Sequence, residues 1–149
     1  WQAKAWQRRA NRLENLLFVD ASVLRRCVVG KAAHNIDDLL AKGVKLATTD
    51  AQAREAQQVL HHRFRMTVNA AKEEVEHVTS SMELYLAPTY RSREAVAKAR
   101  IHYKNTKDWP LLAAAIQHDG QIWTDDRDFF GTGVATWTTR NIRYLVTGT

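Results

Sequence analysis

Cysteine is nearly absent from this chain of 149 residues: Cys27 stands alone. One thiol allows no internal disulfide and no cysteine-based zinc site, and it fits a reducing cytoplasm. Proline is as scarce, with only Pro88 and Pro110. No linker, internal repeat or low-complexity tract divides the sequence, and no apolar run approaches the roughly 20 residues of a membrane helix. Residues 1–15 are too polar for a signal peptide. The opening at Trp1 rather than Met reads as that of a trimmed or processed chain. Several catalytic patterns are missing as well. His34, His61, His62, His77, His102 and His118 show no H-E-x-x-H or comparable zinc spacing. There is no G-x-S-x-G nucleophile elbow. The G-T-G of residues 131–133 is too short for a phosphate-cradling loop.

What is there reads as an ordinary globular domain. Hydrophobic residues make up 45% and charged residues 26%, and the length suits one compact core. The formal net charge of +6, from 22 Lys and Arg against 16 Asp and Glu, points modestly to an anionic partner. Its distribution is more telling. Arg91, Arg93, Lys98, Arg100, Lys104 and Lys107 face a single nearby acid, Glu94. Immediately after them, Asp108, Asp119, Asp125, Asp126 and Asp128 face a single base, Arg127. Either this is a solvated helix followed by polar turns, or an acid cluster that binds a cation stands beside a surface that attracts phosphate.

Periodicity organises the chain into alternating elements. Residues 2–15 read as a helix, with Trp6, Ala10, Leu13 and Leu17 on one face and Lys4, Arg8 and Arg12 as a basic stripe. We treat residues 1–15 as an N-terminal helical extension and 16–149 as the domain proper. Four short apolar runs, at 16–19, 44–47, 121–123 and 134–137, suit strands buried on both faces. Between them, helices are expected over 21–29, over 35–43 with a stop at Gly43, and from a capping box at Thr49 and Gln52. The last of these uses Ala56, Val59, Leu60 and Phe64 as its buried side. Further helices are expected over 68–80 and 92–104, and from Asp108 and Pro110 to a stop at Gly120. The alternation implies an α/β domain with a mostly parallel sheet.

In such sheets, sites lie beyond the carboxyl ends of the strands. Asp20 directly follows the first strand, and Asp126 follows the third by two residues. Asp108 opens the helix that leads into the third strand, and it reaches the same end only if that helix starts there, as a right-handed crossover from a preceding strand would require. Glu55 lies in the second turn of the helix after the second strand. Each acid has an alternative role. Asp20 and Asp108 are placed as helix N-caps, Glu55 as an exposed helix residue, and Asp126 and Asp128 as turn formers. Together, four acids at one sheet edge require a cation, because carboxylates held close cannot all ionise otherwise. Oxygen-only ligands select a hard ion, Mg²⁺ or Mn²⁺. An aspartyl-phosphate enzyme with Asp20 as nucleophile fits less well. Haloacid-dehalogenase-like phosphatases carry a second Asp two residues on, where this chain has Ser22.

The set F-V-D-A-S-V-L (18–24), D-W-P-L-L-A-A-A-I (108–116) and I-W-T-D-D-R-D-F-F-G-T-G-V-A-T-W-T-T (122–139) resembles the PIN-domain nucleases, especially the bacterial toxin-like members called VapC. The resemblance runs from residue 16 to about 145. It implies a three-layer α/β/α fold, a parallel sheet between helices. It also implies a cluster of three or four acids that binds Mg²⁺ or Mn²⁺ and cuts RNA. By match, these acids are Asp20, Asp108 and Asp126, with Glu55 as the helix acid and Glu73 or Glu74 as substitutes for it. Ser22, Thr124 and Asp128 match supporting positions. The basic 91–107 segment and Arg127 would hold an RNA backbone. The implied partners are RNA, an antitoxin and a second copy of the chain. A housekeeping RNA processor and a PIN-like module that binds RNA or protein without cutting remain the alternatives. If the 124–128 segment is extended, Thr124, Asp126 and Asp128 share one side. Asp125 then points away and is expected to be solvated and dispensable.

Overall fold

The computed structural model describes residues 16–147. The helix expected over residues 2–15, and its basic stripe, lie outside the described residues. The chain runs β1 (Leu16–Val19), α1 (Ala21–Val28), α2 (Ala33–Ala41), β2 (Lys45–Thr49), α3 (Asp50–His62), α4 (Val68–Thr79) and β3 (Glu83–Tyr85). It continues through α5 (Glu94–Arg100), α6 (Trp109–Gln117), β4 (Gln121–Trp123), β5 (Thr136–Trp137) and α7 (Tyr144–Thr147). Short 3₁₀ turns at Ala87–Thr89, Arg91–Arg93, Tyr103–Asp108 and Arg127–Phe129 join these elements. The five strands form one sheet in the order β3-β2-β1-β4-β5, with every pairing parallel. Among the described residues, no helix is long and apolar enough to cross a membrane.

The pleat of β1 explains why the sheet is covered on both sides. Successive side chains alternate faces, and all four are apolar. Leu17 and Val19 join a core with α1 to α4, together with Leu46 and Trp123 from neighbouring strands. Leu16 and Phe18 join the other core, with Leu111–Ala115 of α6 and with Ala97 and Ile101. Register keeps the two sets apart: Phe18 pairs with Ala47 and Ile122, and Leu17 pairs with Leu46. The result is the expected α/β architecture, with helices on both faces. Each fully buried Leu, Ile or Phe contributes roughly 1.5–3 kcal/mol, so the central strand is the most heavily stabilised part of the sheet.

Several expected boundaries move. The edge strand β3 escaped notice because its sequence, E-L-Y, is no apolar run, and Glu83 and Leu84 are exposed. The helix expected over 92–104 is only α5, because Ile101 turns to extended backbone and a kinked 3₁₀ turn follows. Phe64 is not on a buried side. It lies beyond the end of α3 and is 53% exposed. Gly120 does not stop α6 as a left-handed cap. That conformation falls to Asp119, at φ +53, and Gly120 has a packing role: a Cβ there would meet the Phe18 ring at 2.6 Å.

Candidate active site

The strand order places a switch point between β1 and β4. From β1 the chain moves outward to β2 and β3, then returns to lay β4 on the other side of β1. A crevice at the carboxyl ends of two such strands is the usual location of a site in an open α/β sheet. The backbone ladder continues one residue past the strands, where the Asp20 N–H donates to the Trp123 carbonyl at 2.9 Å. Asp20 and Thr124 therefore leave the sheet side by side.

Asp20 is buried, at 4% exposure, and its carboxylate is held on two sides. The Thr124 hydroxyl donates to Oδ2 at 2.6 Å and the Ser22 hydroxyl donates to the same oxygen at 2.9 Å. Neither hydroxyl engages Oδ1. The Asp126 N–H donates to Thr124 Oγ1 at 3.0 Å. Thr124 therefore ties the positions of both aspartates together. Asp20 stands at the N-cap of α1 and Asp108 at the N-cap of α6, yet neither side chain makes a capping bond. Thr49 and Thr67 do cap their helices, accepting from the N–H groups of Gln52 and Ala70. Residues that act only as caps use their oxygens this way. In Asp20 and Asp108 the carboxylates are left to face a cleft.

That cleft, of about 190 Å³, is lined by Asp20, Glu55, Asp108, Asp126 and Asp128, with Ser22 beside them. Glu55 reaches it because the Thr49 cap starts α3 directly at the end of β2. Glu73 and Glu74 do not reach it. Both are exposed on α4, and Glu74 borders a separate groove with Cys27 and His77. The 3₁₀ turn at Arg127–Phe129 interrupts the extended alternation, but Asp128 still turns inward, where it accepts from Asn105 Nδ2 at 2.8 Å.

The electrostatics reflect the crowding. Burial pushes the Asp20 carboxyl up to about 6 against the opposing pull of the Thr124 and Ser22 hydroxyls, and the Asp126 charge adds to the rise. Asp108 is also pushed up to about 6, by burial first and then by Glu55, Asp20 and Asp128. Asp126 is raised by burial and by Asp128, while Arg25 pulls the other way. An oxygen-rich cleft that resists holding its own negative charge suits a hard divalent cation. Among the described residues, no group of three or more His, Cys, Asp or Glu side chains is gathered closely enough to hold a metal ion on its own. Mg²⁺ does not need such a cage, because it keeps several waters and binds through one or two carboxylates plus substrate phosphate. The donor set therefore fits.

Three neighbours were not singled out from sequence. Gln52 is buried in α3, and its Oε1 accepts from the Ala21 N–H at 2.8 Å, fixing the backbone next to Asp20. Its capping-box position was legible, but its long-range partner was not. The Thr48 hydroxyl donates to the Val19 carbonyl at 2.8 Å. Arg25 of α1 lines the cleft with Lys107. Of the six basic residues in 91–107, only Lys107 lines it. Arg93 instead bonds Gln117 at the far end of α6, and Lys98 pairs with Glu94. Arg127 is exposed and outside the lining. Asp125, expected from sequence to be solvated, is instead engaged by the chain. Its carboxylate accepts from the Thr139 N–H at 2.8 Å and the Thr139 hydroxyl at 2.7 Å, and stands 3.5 Å from Arg26 Nε. The strand alternation did turn it away from the cleft, but the chain after β5 packs against that side.

Comparison with known proteins bears on this geometry. The family model described as PIN domain matches residues 18–147. A search of curated proteins finds no match. Among solved structures, the crystal structure of PAE2754 from Pyrobaculum aerophilum is similar in fold, with a TM-score of 0.66 and 22% identity, over 90% of this chain and 91% of that one.

Proposed function

The chain belongs to the PIN-domain family, whose members are generally nucleases, and on that premise we propose that it is a divalent-metal-dependent endoribonuclease. The observation that carries this reading is the convergence of Asp20, Glu55, Asp108 and Asp126, from four separate chain segments, on one cleft at the sheet's switch point. One or two of these carboxylates, with water and the substrate phosphate completing the shell, would hold Mg²⁺ or Mn²⁺. A bound divalent ion supplies a water of lowered pKa and neutralises charge on the reacting phosphate. Thr124 and Ser22 orient Asp20 through Oδ2, and Gln52 holds the backbone from which Asp20 projects. Arg25 and Lys107, the bases on the cleft wall, attract the RNA phosphate. Asp128 and Asn105 brace the 3₁₀ turn next to Asp126.

The test is RNA cleavage with Mg²⁺ or Mn²⁺, with EDTA, and by Asp126→Asn. Loss of cleavage in both latter arms is expected; cleavage that survives both overturns the reading. The proposal extends to the toxin of a toxin–antitoxin pair, acting as a homodimer and silenced by its partner protein. Expression of the wild type, but not of Asp126→Asn, is then expected to arrest growth.

A further inference from the structure

The site does not end at the acid cleft. A second groove, of about 310 Å³, adjoins it, and Ser22 and Arg25 line both. Its other walls carry Arg26, Val29, Lys31 and Phe64, with the Asp125 carboxylate beside Arg26. The volume falls at the low end of the roughly 300–1,000 Å³ typical of small-ligand sites.

Two features of this groove point to a ligand. The first is Phe64, which continues the apolar periodicity of α3 yet is 53% exposed. The turn that presents it is well tied. The Met66 N–H donates to the Leu60 carbonyl at 3.2 Å, His61 Nδ1 lies 2.7 Å from the Met66 carbonyl, and Arg65 takes the left-handed φ of +57. The backbone that carries the ring is therefore fixed by its own hydrogen bonds, and the ring is left exposed. The second feature is positive charge: Arg26 is paired with Asp125, Arg25 acts on Asp126 across the shared wall without forming an ion pair, and Lys31 forms no ion pair with the described residues. Arg25 Nε is buried without a hydrogen-bond partner. An aromatic face beside unpaired cations, continuous with a phosphate-cleaving site, is the chemistry of a single-strand platform, where bases stack and the backbone is held by charge.

We propose that this groove seats the nucleotide flanking the scissile phosphate of a single-stranded RNA, with its base stacked on Phe64 and its phosphate held by Arg25 and Lys31. The inference rests on the ribonuclease reading and adds a base-stacking subsite to it. Base-paired strands cannot offer an open base face to the ring.

The test combines binding and cleavage. Affinity for a labelled single-stranded oligoribonucleotide is measured by anisotropy on the Asp126→Asn background, and KM and kcat on the otherwise native chain. Phe64→Ala is expected to weaken binding and raise KM by about 5- to 150-fold, the range of one lost base–aromatic stack, with kcat little changed. Phe64→Trp should restore both. Lys31→Glu should weaken binding, with a shallower salt dependence. RNA that is bound through Phe64 but never cut by the native chain refutes the nuclease and keeps the groove. Cleavage with Kd and KM unmoved by Phe64→Ala and Lys31→Glu keeps the nuclease and overturns the groove. A groove that instead captures a protein partner gives that second result.

Discussion

Asp20, Thr124 and Asp126 behave as one unit, because one hydroxyl links two carboxylate-bearing residues. Thr124→Val keeps the shape and removes both bonds. Losing such a supporting contact typically costs about 10- to 100-fold in metal affinity or activity, and we expect a loss of that size in cleavage at limiting metal. Asp125 serves a different purpose, because its oxygens bind Thr139 and Arg26. Asp125→Asn is therefore expected to lower Tm by about 2–4 °C, the shift for a loss near 1 kcal/mol in a domain of this size, while kcat stays close to native. A loss of activity as severe as that of Asp126→Asn would mean that Asp125 was misassigned. The raised carboxyls set a pH dependence. Burial pushes Asp20 and Asp108 up to about 6 in the folded chain, against 3.8 for a free Asp side chain. Between those values the folded state holds more protons than the unfolded state. Unfolding free energy therefore falls as pH rises through that window. Thermal melts of the metal-free protein should show a higher Tm near pH 5 than near pH 7, with the difference reduced in Asp108→Asn.

At the scale of elements, the cleft depends on where each one begins. The Thr49 cap starts α3 at the end of β2 and so brings Glu55 to the cleft and Gln52 under Ala21. Asp108 reaches the cleft because α6 starts there, with Pro110 in its first turn. The far end of α6 is set by packing: Gly120 lets β4 begin against the Phe18 ring. Gly120→Ala forces that ring to move within a filled core, at a cost of about 1–3 kcal/mol. Denaturant melts are expected to show the loss, and the acid cleft, at the opposite end of β4, should keep its metal response. These starts were largely legible, because caps, prolines and apolar runs are local signals. The edge strand β3 was not, since pairing to β2 rather than its own composition makes it a strand.

The whole molecule concentrates acids at the switch point within a chain of net charge +6. A divalent ion that binds only the folded state stabilises it by mass action. At roughly 100-fold excess over Kd this amounts to about 2.7 kcal/mol, or about 5–10 °C in Tm. Scans with Mn²⁺ or Mg²⁺ should show that rise, EDTA should reverse it, and Asp20→Asn should lack it. Burial first, and then neighbouring carboxylates, push Asp20 and Asp108 upward, and a bound divalent ion would oppose that rise. The metal-induced gain should therefore be larger at pH 7 than at pH 5, where protons already relieve the repulsion.

Sequence alone determined the alternation of buried strands and helices. With it came the placement of Asp20 and Asp126 at strand ends and the opposite sides taken by Asp125 and Asp126. All of these follow from periodicity and short-range caps, which act within a few residues. Tertiary structure decided the rest. It brought Glu55 rather than Glu73 or Glu74 to the cleft, and Arg25 rather than most of the 91–107 bases. It also gave Asp125 a structural partner and left Phe64 exposed. Each of these depends on which segments pack side by side, and a chain whose elements can be read one at a time does not display its long-range neighbours.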